Sequence, residues 1–163
     1  MRHLYLAANG ASPTTAAQVV VATGTAIKTL LQIATPSNQA INIIEWGISF
    51  DGSTAATPIK TEFLQTDVAA TTGTSLTPTL WGDPNAPASL CVGGTALTCF
   101  SPSVEGTITA TRMFDVQLIS PTNQYVKQYP LGREPEVPVS KFLRVRVTAG
   151  ATVNAYCYII WEE

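Results

Sequence analysis

The chain has 163 residues, of which 45% are hydrophobic and only 12% are charged, with a formal net charge of −2. This length predicts one domain whose core needs neither a metal ion nor a disulfide, and the surface must be polar but weakly charged. There is no surplus of Lys and Arg for nucleic acid or anionic lipid, and no apolar run of the roughly 20 residues that span a bilayer, so we expect no nucleic-acid or membrane partner.

The first half of the chain is predicted to be β structure behind an extended arm. Residues 1–24 are rich in Ala, Thr and Asn and have no clear period, so they are assigned to an N-terminal arm ahead of a folded domain at 25–163. Residues 26–35 alternate with a two-residue period, as a strand with one buried face requires. In the next run the apolar phase flips between Ile43 and Ile44, which predicts a β-bulge because one extra residue reverses the faces.

The second half contains further strand-like runs separated by turns rich in Pro, Gly, Asn and Thr. The run at 106–120 has the longest alternation in the chain and predicts a long central strand. The final runs, at 141–148 and 152–161, flank Ala149-Gly150-Ala151 and predict a hairpin. The remaining runs lie at 59–66, 88–100 and 125–129.

This pattern predicts an all-β fold, because no segment has a helical period of sufficient length. Eight or nine strands with turns at this spacing are typical of a two-sheet antiparallel β-sandwich. The long loops between some strands favour a jelly-roll-like arrangement over a meander. The fold class is therefore a jelly-roll-like sandwich with an extended N-terminal arm.

Side chains that could perform catalysis are scarce. His3 is the only histidine and lies in the predicted arm, so a nucleophile activated by a histidine base is not expected. Glu45 and Glu62 lie on the polar phases of their strands, where a solvated face is a simpler interpretation than a hydrolytic carboxylate pair. We therefore expect no enzyme activity, no cofactor and no small-molecule substrate.

The three cysteines have no metal-site spacing. Cys157 lies in an alternating apolar run and is interpreted as a small buried side chain. Cys91 and Cys99 flank a Gly-Gly turn, which leaves a disulfide between them open in an oxidising setting. The cysteines therefore predict no zinc centre and no dense disulfide framework.

Basic residues gather in the last third of the chain. Arg144 and Arg146 share one face of a predicted strand, where a solvated face is the simpler interpretation and a contact with an acidic protein surface stays open. Arg112 lies on the apolar phase of the longest run, although an unpaired buried charge is costly. It is therefore expected at a sheet margin or in a pair at a subunit contact.

Four strings carry a resemblance to a known class of proteins: residues 45–52 (EWGISFDG), 84–87 (PNAP), 124–136 (QYVKQYPLGREPE) and 154–162 (NAYCYIIWE). They resemble small proteins encoded among the structural genes of tailed bacteriophages, especially those of actinobacteria, from about residue 25 onward. The resemblance implies a capsid decoration, or cement, protein with a jelly-roll fold. It would be assembled in the host cytoplasm and lie on the outer surface of the virion capsid, with the major capsid protein and itself, as a homotrimer, as partners.

Interfaces are enriched in aromatic residues and Arg, which suggests candidate contact residues. The final strand is apolar or aromatic on both phases, which predicts burial on two sides, one of them a possible subunit contact. Two alternatives stay open: a carbohydrate-binding module that stacks exposed aromatic rings on sugars, and a receptor-binding head of a phage tail or fibre. The candidates are Tyr5, Trp81, Arg112, Tyr129, Arg133, Arg144, Arg146 and Tyr158.

Overall fold

A computed structural model describes residues 3–10, 13–52, 57–71, 76–82, 87–91 and 104–163. The regular structure in these ranges consists of β-strands alone. The strands are β1 (Leu4–Ala8), β2 (Val21–Ala22), β3 (Lys28–Ala34), β4 (Ile41–Phe50), β5 (Ile59–Thr66), β6 (Thr79–Leu80), β7 (Thr111–Ile119), β8 (Gln124–Gln128), β9 (Glu136–Val137), β10 (Phe142–Thr148) and β11 (Asn154–Glu162). The predicted hairpin at 88–100 lies largely outside the described residues, and so does Cys99, the second cysteine of the disulfide that the sequence left open.

The strands form two antiparallel sheets. A seven-stranded sheet has the order β6-β1-β11-β4-β8, with β2 pairing with β11 and β9 with β4. A four-stranded sheet has the order β3-β10-β5-β7. When the three two-residue strands are set aside, each sheet keeps four strands, and every connection except that from β5 to β7 crosses between the sheets. The β-sandwich prediction is confirmed, and the strand order is compatible with a jelly-roll-like arrangement.

The core lies between the two sheets and is centred on an aromatic stack. Trp46 of β4 is fully buried and stacks on Phe63 of β5, with ring centroids 5.0 Å apart. Tyr125 of β8 and Phe114 of β7 extend the stack at centroid distances of 5.5 and 5.6 Å. Cys157 is fully buried in the same core, as predicted. Aromatic side chains from four strands therefore join the two layers.

The predicted β-bulge in β4 is confirmed. Ile160 of β11 pairs with Glu45, whereas the next residue, Trp161, pairs with Ile43, so Ile44 is the extra residue. The bulge allows both Ile43 and Trp46 to face the core, although their spacing is odd. It also places Glu45 on the outer face of the seven-stranded sheet.

The predictions for the longest alternating run were wrong in two respects. Strand β7 is an edge strand of the four-stranded sheet, not a central one. After Phe114, which packs on Phe63 as predicted, its inward phase is also reversed: Asp115 pairs with Phe63 and faces inward, whereas Leu118 is 72% exposed. The alternation identified a strand but not its buried side, because the outer face of β7 carries the apolar residues.

The predicted hairpin of the last two strands was also wrong. Strand β10 belongs to the four-stranded sheet and β11 to the seven-stranded sheet. Residues 149–153 therefore carry the chain across the core, from one layer to the other. A short turn with Gly suits a hairpin within one sheet as well as a crossing between two sheets, so local composition does not distinguish these two connections.

Two strands lie within the segment that was assigned to an N-terminal arm. Strand β1 lies between β6 and β11, and β2 pairs with the first residues of β11. Between them, the buried Asn9 side chain accepts a hydrogen bond from the Cys157 N–H (3.1 Å) and donates one to the Ala155 carbonyl (3.0 Å). This amide continues the pairing along β11 beyond the end of β1. Both strands therefore belong to the sandwich.

Replacing Trp46 by Ala is expected to destabilise the fold by about 3–5 kcal/mol, because it empties the centre of the aromatic stack. Urea unfolding followed by circular dichroism measures the change. Trp81→Ala is the matched control, since Trp81 is 60% exposed, and should change the free energy of unfolding by about 0.5 kcal/mol or less. Equal losses in the two variants would contradict this core.

Asp67 follows β5 and should make stability depend on acid. Its carboxylate accepts hydrogen bonds from the Thr109 hydroxyl and from the N–H groups of Thr109 (3.2 Å) and Ala110 (3.1 Å). The Thr109 hydroxyl and these N–H groups lower the pKa of Asp67 from 3.8 to about 2. Because the folded-state pKa is depressed, this stabilisation is present above pH 3.8 and is lost as the pH falls through about 2.

Asp67→Asn is therefore expected to lower the urea midpoint above pH 3.8 and to differ less from wild type as the pH approaches 2. Asn retains the size of the side chain but not its charge. Urea titrations at a series of pH values test this, with Glu136→Gln as a control because Glu136 is exposed and lies in another strand. A difference between wild type and Asp67→Asn that does not change with pH would refute the assignment.

Candidate binding surfaces

Tyr5 is not available as a contact residue. It is only 3% exposed, in a strand that lies between two others. Its ring stacks on Trp161 at 6.1 Å, and its hydroxyl donates to the Pro87 carbonyl at 3.0 Å. Burial and the nearby Glu163 carboxylate raise the pKa of Tyr5, so the hydroxyl stays protonated at neutral pH. Tyr5 therefore holds the loop at Pro87 against the sandwich.

Arg144 and Arg146 do not form the solvated basic face that was expected. Arg144 is fully buried on the outer face of β10. Its guanidinium donates to the Glu105 carboxylate (2.9 Å), to the Glu105 carbonyl (3.1 Å) and to the Val68 carbonyl. Arg146 donates to the Glu62 carboxylate at 2.8 Å. Both cations are thus neutralised within the chain and offer little to an external acidic surface.

The Arg144 contacts fasten the long connection between β5 and β7 over the outer face of the four-stranded sheet. Glu105 also accepts the N–H and hydroxyl of Thr29, both at 2.8 Å, on the outermost strand β3. Gln32 exchanges hydrogen bonds with the backbone of Ala70, at 2.8 and 3.4 Å. The outer faces of β3 and β10 are therefore covered by the chain itself.

Three other candidates lie near the β7 and β8 side of the sandwich. Arg112 lies at a sheet margin, one of the two positions expected for it: its guanidinium is 4.8 Å from the Phe114 ring centroid and donates to the Glu136 carbonyl at 2.8 Å. Tyr129 is partly buried against the core, and its burial raises its pKa to about 12. Arg133 is exposed on a turn after β8. Arg112 and Arg133 are thus both exposed, whereas Tyr129 is partly buried.

That turn also exposes an apolar residue. The Arg133 N–H donates to the Pro130 carbonyl at 2.9 Å, and Gly132 has a φ of 79°, which favours glycine at the third position of such a turn. Leu131 at the tip is 98% exposed. Trp81 is exposed as well, but it follows β6 at the opposite edge of the seven-stranded sheet. The exposed candidates therefore do not form one cluster.

An apolar strip runs along the outer face of β7, and the sequence analysis missed it as a surface feature. A bulge at Phe114 shifts the register with β5, so that Met113 pairs with Leu64 while Leu118 pairs with Lys60. The bulge thus brings Met113, Val116 and Leu118 to the same outer face, despite their odd spacing. Met113 is 68% exposed and Val116 partly exposed. We call Met113, Val116 and Leu118 the β7 strip.

A shallow groove lies on the outer face of the other, seven-stranded sheet. It has a volume of about 220 Å³ and runs across β11, β4 and β8. A second depression of about 340 Å³ shares Ser49 and Gln124 with it and continues toward the turn at 120–123. We call the first depression the tyrosine groove; its outer-face lining is Ser49, Gln124, Val126, Tyr156 and Tyr158.

Gly47 explains why the groove has a flat aromatic floor. Gly47 pairs with Tyr158, and a Cβ added at Gly47 would lie 2.6 Å from the Tyr158 ring. Only glycine therefore lets this ring lie across β4. The Tyr158 hydroxyl donates to Glu45 at 2.5 Å, and the Tyr156 ring lies 6.2 Å from the Tyr158 ring at 34°. A glycine inside a strand was the sequence signal that could have indicated this site.

The two tyrosines remain neutral over the physiological pH range. Burial, followed by the hydrogen bond to Glu45, raises the pKa of Tyr158. Burial also raises the pKa of Tyr156. Both rings are partly exposed, so the prediction that β11 is buried on two sides holds for Ile160 but not for these tyrosines. The groove therefore presents protonated hydroxyls and accessible ring faces.

The two carboxylates considered as a hydrolytic pair are far apart in the fold. Glu45 lies on the outer face of the seven-stranded sheet and Glu62 on the outer face of the four-stranded sheet, with the core between them. Burial raises the pKa of the Cys91 thiol, which is therefore protonated. Among the described residues, no group of three or more His, Cys, Asp and Glu side chains is arranged to hold a metal ion.

The fold and these surfaces define the class of the molecule as an all-β sandwich with a covered basic cluster, an exposed apolar strip and an aromatic groove. No protein-family model matches the chain. No curated protein and no solved structure matches it either. Within the described ranges, no helix is long and apolar enough to span a membrane.

Removing the carboxylate that faces Arg144 is expected to destabilise the protein strongly. Glu105→Ala leaves a buried guanidinium without its counter-ion and should cost about 3 kcal/mol in urea unfolding. Glu136→Ala is the control, because Glu136 is exposed and Arg112 contacts only its backbone carbonyl; about 0.5 kcal/mol or less is expected. If the Glu105 variant is no less stable than the control, the Arg144 contacts do not secure the covering segment.

Proposed function

We propose that the protein is a structural virion component that decorates the capsid by binding the major capsid protein, as a homotrimer formed through the β7 strip. The capsid role comes from the resemblance described above. The single structural observation that supports self-association is the exposure of Met113 and Leu118 on one strand face, with the partly exposed Val116 between them. Contiguous exposed apolar side chains at a sheet edge mark surfaces that associate.

The strip has the properties that a contact between copies requires. Burying a Met or Leu side chain stabilises an association by about 1.5–3 kcal/mol before the costs of association are subtracted. Lys60 and Glu62, on the neighbouring strand, form an ion pair at 3.5 Å and so add little net charge beside the strip. The net charge of −2 for the whole chain also gives little repulsion between copies.

Side-chain packing suits this contact better than direct pairing of the β7 edges. Asp115 faces inward at the margin and binds the Tyr125 hydroxyl (2.8 Å) and the Gln117 amide (2.8 Å). Inward-facing charges are one means by which edge strands avoid edge-to-edge pairing. The apolar side chains of the β7 strip point away from the sheet instead. We therefore assign the subunit contact to the outer face of β7.

Separate residues are available for the capsid. Leu131 and Arg133 project from the turn after β8, and Trp81 projects from the opposite edge of the same sheet. Leucine, arginine and tryptophan side chains that lie outside a subunit contact can engage a second partner, and Arg and Trp are enriched at protein contacts. The proposal assigns these three residues to the major capsid protein.

Leu118→Lys is expected to convert the oligomer to a monomer, because it places a charge within the apolar contact. Light scattering coupled to size-exclusion chromatography measures the mass, and three times the chain mass of 17.3 kDa is expected for the wild type. Val19→Lys is the matched control, because Val19 is 56% exposed outside the β7 strip. Its variant should keep the wild-type mass.

A monomeric wild type would refute self-association, and a Leu118→Lys oligomer of unchanged mass would refute the assigned surface. The capsid role has its own test, which is the number of copies in a purified virion that carries this chain. Hundreds of copies distributed over the shell are expected. A handful of copies located at the tail would instead favour a receptor-binding head.

A further inference from the structure

We propose that the tyrosine groove binds a neutral carbohydrate, with one sugar ring resting on the Tyr156 and Tyr158 pair. This site is independent of the subunit contact. The tyrosine groove lies on the outer face of the seven-stranded sheet, whereas the β7 strip lies on the outer face of the four-stranded sheet. If the experiment on carbohydrate binding fails, the proposed subunit contact is therefore not affected, and the reverse also holds.

The aromatic floor fits the apolar face of a sugar. A pyranose presents axial C–H groups on one side, and these pack on the electron-rich face of an aromatic ring. The Tyr158 ring lies over Gly47, where a Cβ would come within 2.6 Å of it, and its hydroxyl is hydrogen-bonded to Glu45, which restricts its position on the sheet. Tyr156 stands next to it with a tilt of 34°. Two adjoining ring faces provide a platform that needs little ordering on binding.

The rim supplies the groups that sugar hydroxyls require. Ser49 can donate and accept hydrogen bonds, and the Gln124 amide can do both through separate atoms. Neither side chain has a hydrogen-bond partner in the part of the chain that the structure describes, so both can bind a ligand without breaking an existing contact. Glu45 supplies a carboxylate beside Tyr158, joined to its hydroxyl at 2.5 Å. Donors and acceptors thus surround an apolar floor, the usual composition of a small-molecule site.

The charges favour a neutral ligand over an anionic one. Among the described residues, the lining of the tyrosine groove contains no Lys or Arg, and the Glu45 carboxylate lies beside it. A phosphorylated or sialylated ligand would meet this negative charge without a cation to compensate. A volume of about 220 Å³ accommodates one sugar ring, and the adjoining 340 Å³ depression offers space for a second. A short neutral glycan therefore suits the site.

The first experiment applies the full-length protein to an array of neutral, sialylated and sulfated glycans. Binding confined to neutral glycans is expected, and isothermal titration with the strongest neutral ligand then gives the dissociation constant. Tyr156→Ala should weaken binding by at least about tenfold, because it removes half of the platform. Tyr156→Phe is the matched control: it keeps the ring, so the loss should stay within about threefold.

Two further measurements separate this proposal from other uses of the same face. Gln124→Ala changes an exposed residue and should leave the fold unchanged while it weakens binding by several-fold. Light scattering of Tyr156→Ala should show the wild-type mass. Failure to bind any neutral glycan, wild-type affinity in Tyr156→Ala, or a changed oligomer mass in that variant would each overturn the proposal.

Discussion

The packing of Trp46 on Phe63 between the sheets determines which residues of β4 and β5 face outward. Because side chains alternate along a strand, a core position for Trp46 places Glu45 and Gly47 on the opposite face. In the same way, a core position for Phe63 places Glu62 outward. This one contact therefore places the residues of the tyrosine groove on one outer face, and on the other it places the Glu62 carboxylate that binds Arg146.

The two outer faces differ in how the chain covers them. On the four-stranded sheet, the buried Arg144 holds Glu105 and Val68 over β10, so that part of the face is closed. The described part of the covering segment leaves Met113 and Leu118 of β7 exposed. The seven-stranded sheet carries polar and aromatic residues on its outer face instead. The molecule therefore presents one apolar and one mixed surface, which suit different partners.

Particular residues show which features of the fold could be predicted from the sequence and which could not. The bulge at Ile44 was predictable because apolar residues change phase within one strand, and both phases cannot face one core. The bulge at Phe114 produces the opposite situation, since the apolar residues around it face outward and look like a core pattern. Glu45, Gln124 and Tyr156 come from three strands, and only the sheet order brings them together. No local sequence pattern predicts that residues of three separate strands lie next to one another.

The sequence by itself determined that the chain forms β-strands, roughly where the longer ones from β3 onward begin and end, and that two sheets result. Those properties depend on alternation, turn residues and composition, which act over a few neighbouring positions. Only the tertiary structure decided that β10 and β11 lie in different sheets, that Arg144 is buried and that β7 is an edge. Each of these depends on pairing between residues distant in the chain, and its free energy comes from burial and hydrogen bonds that form only once the layers have packed.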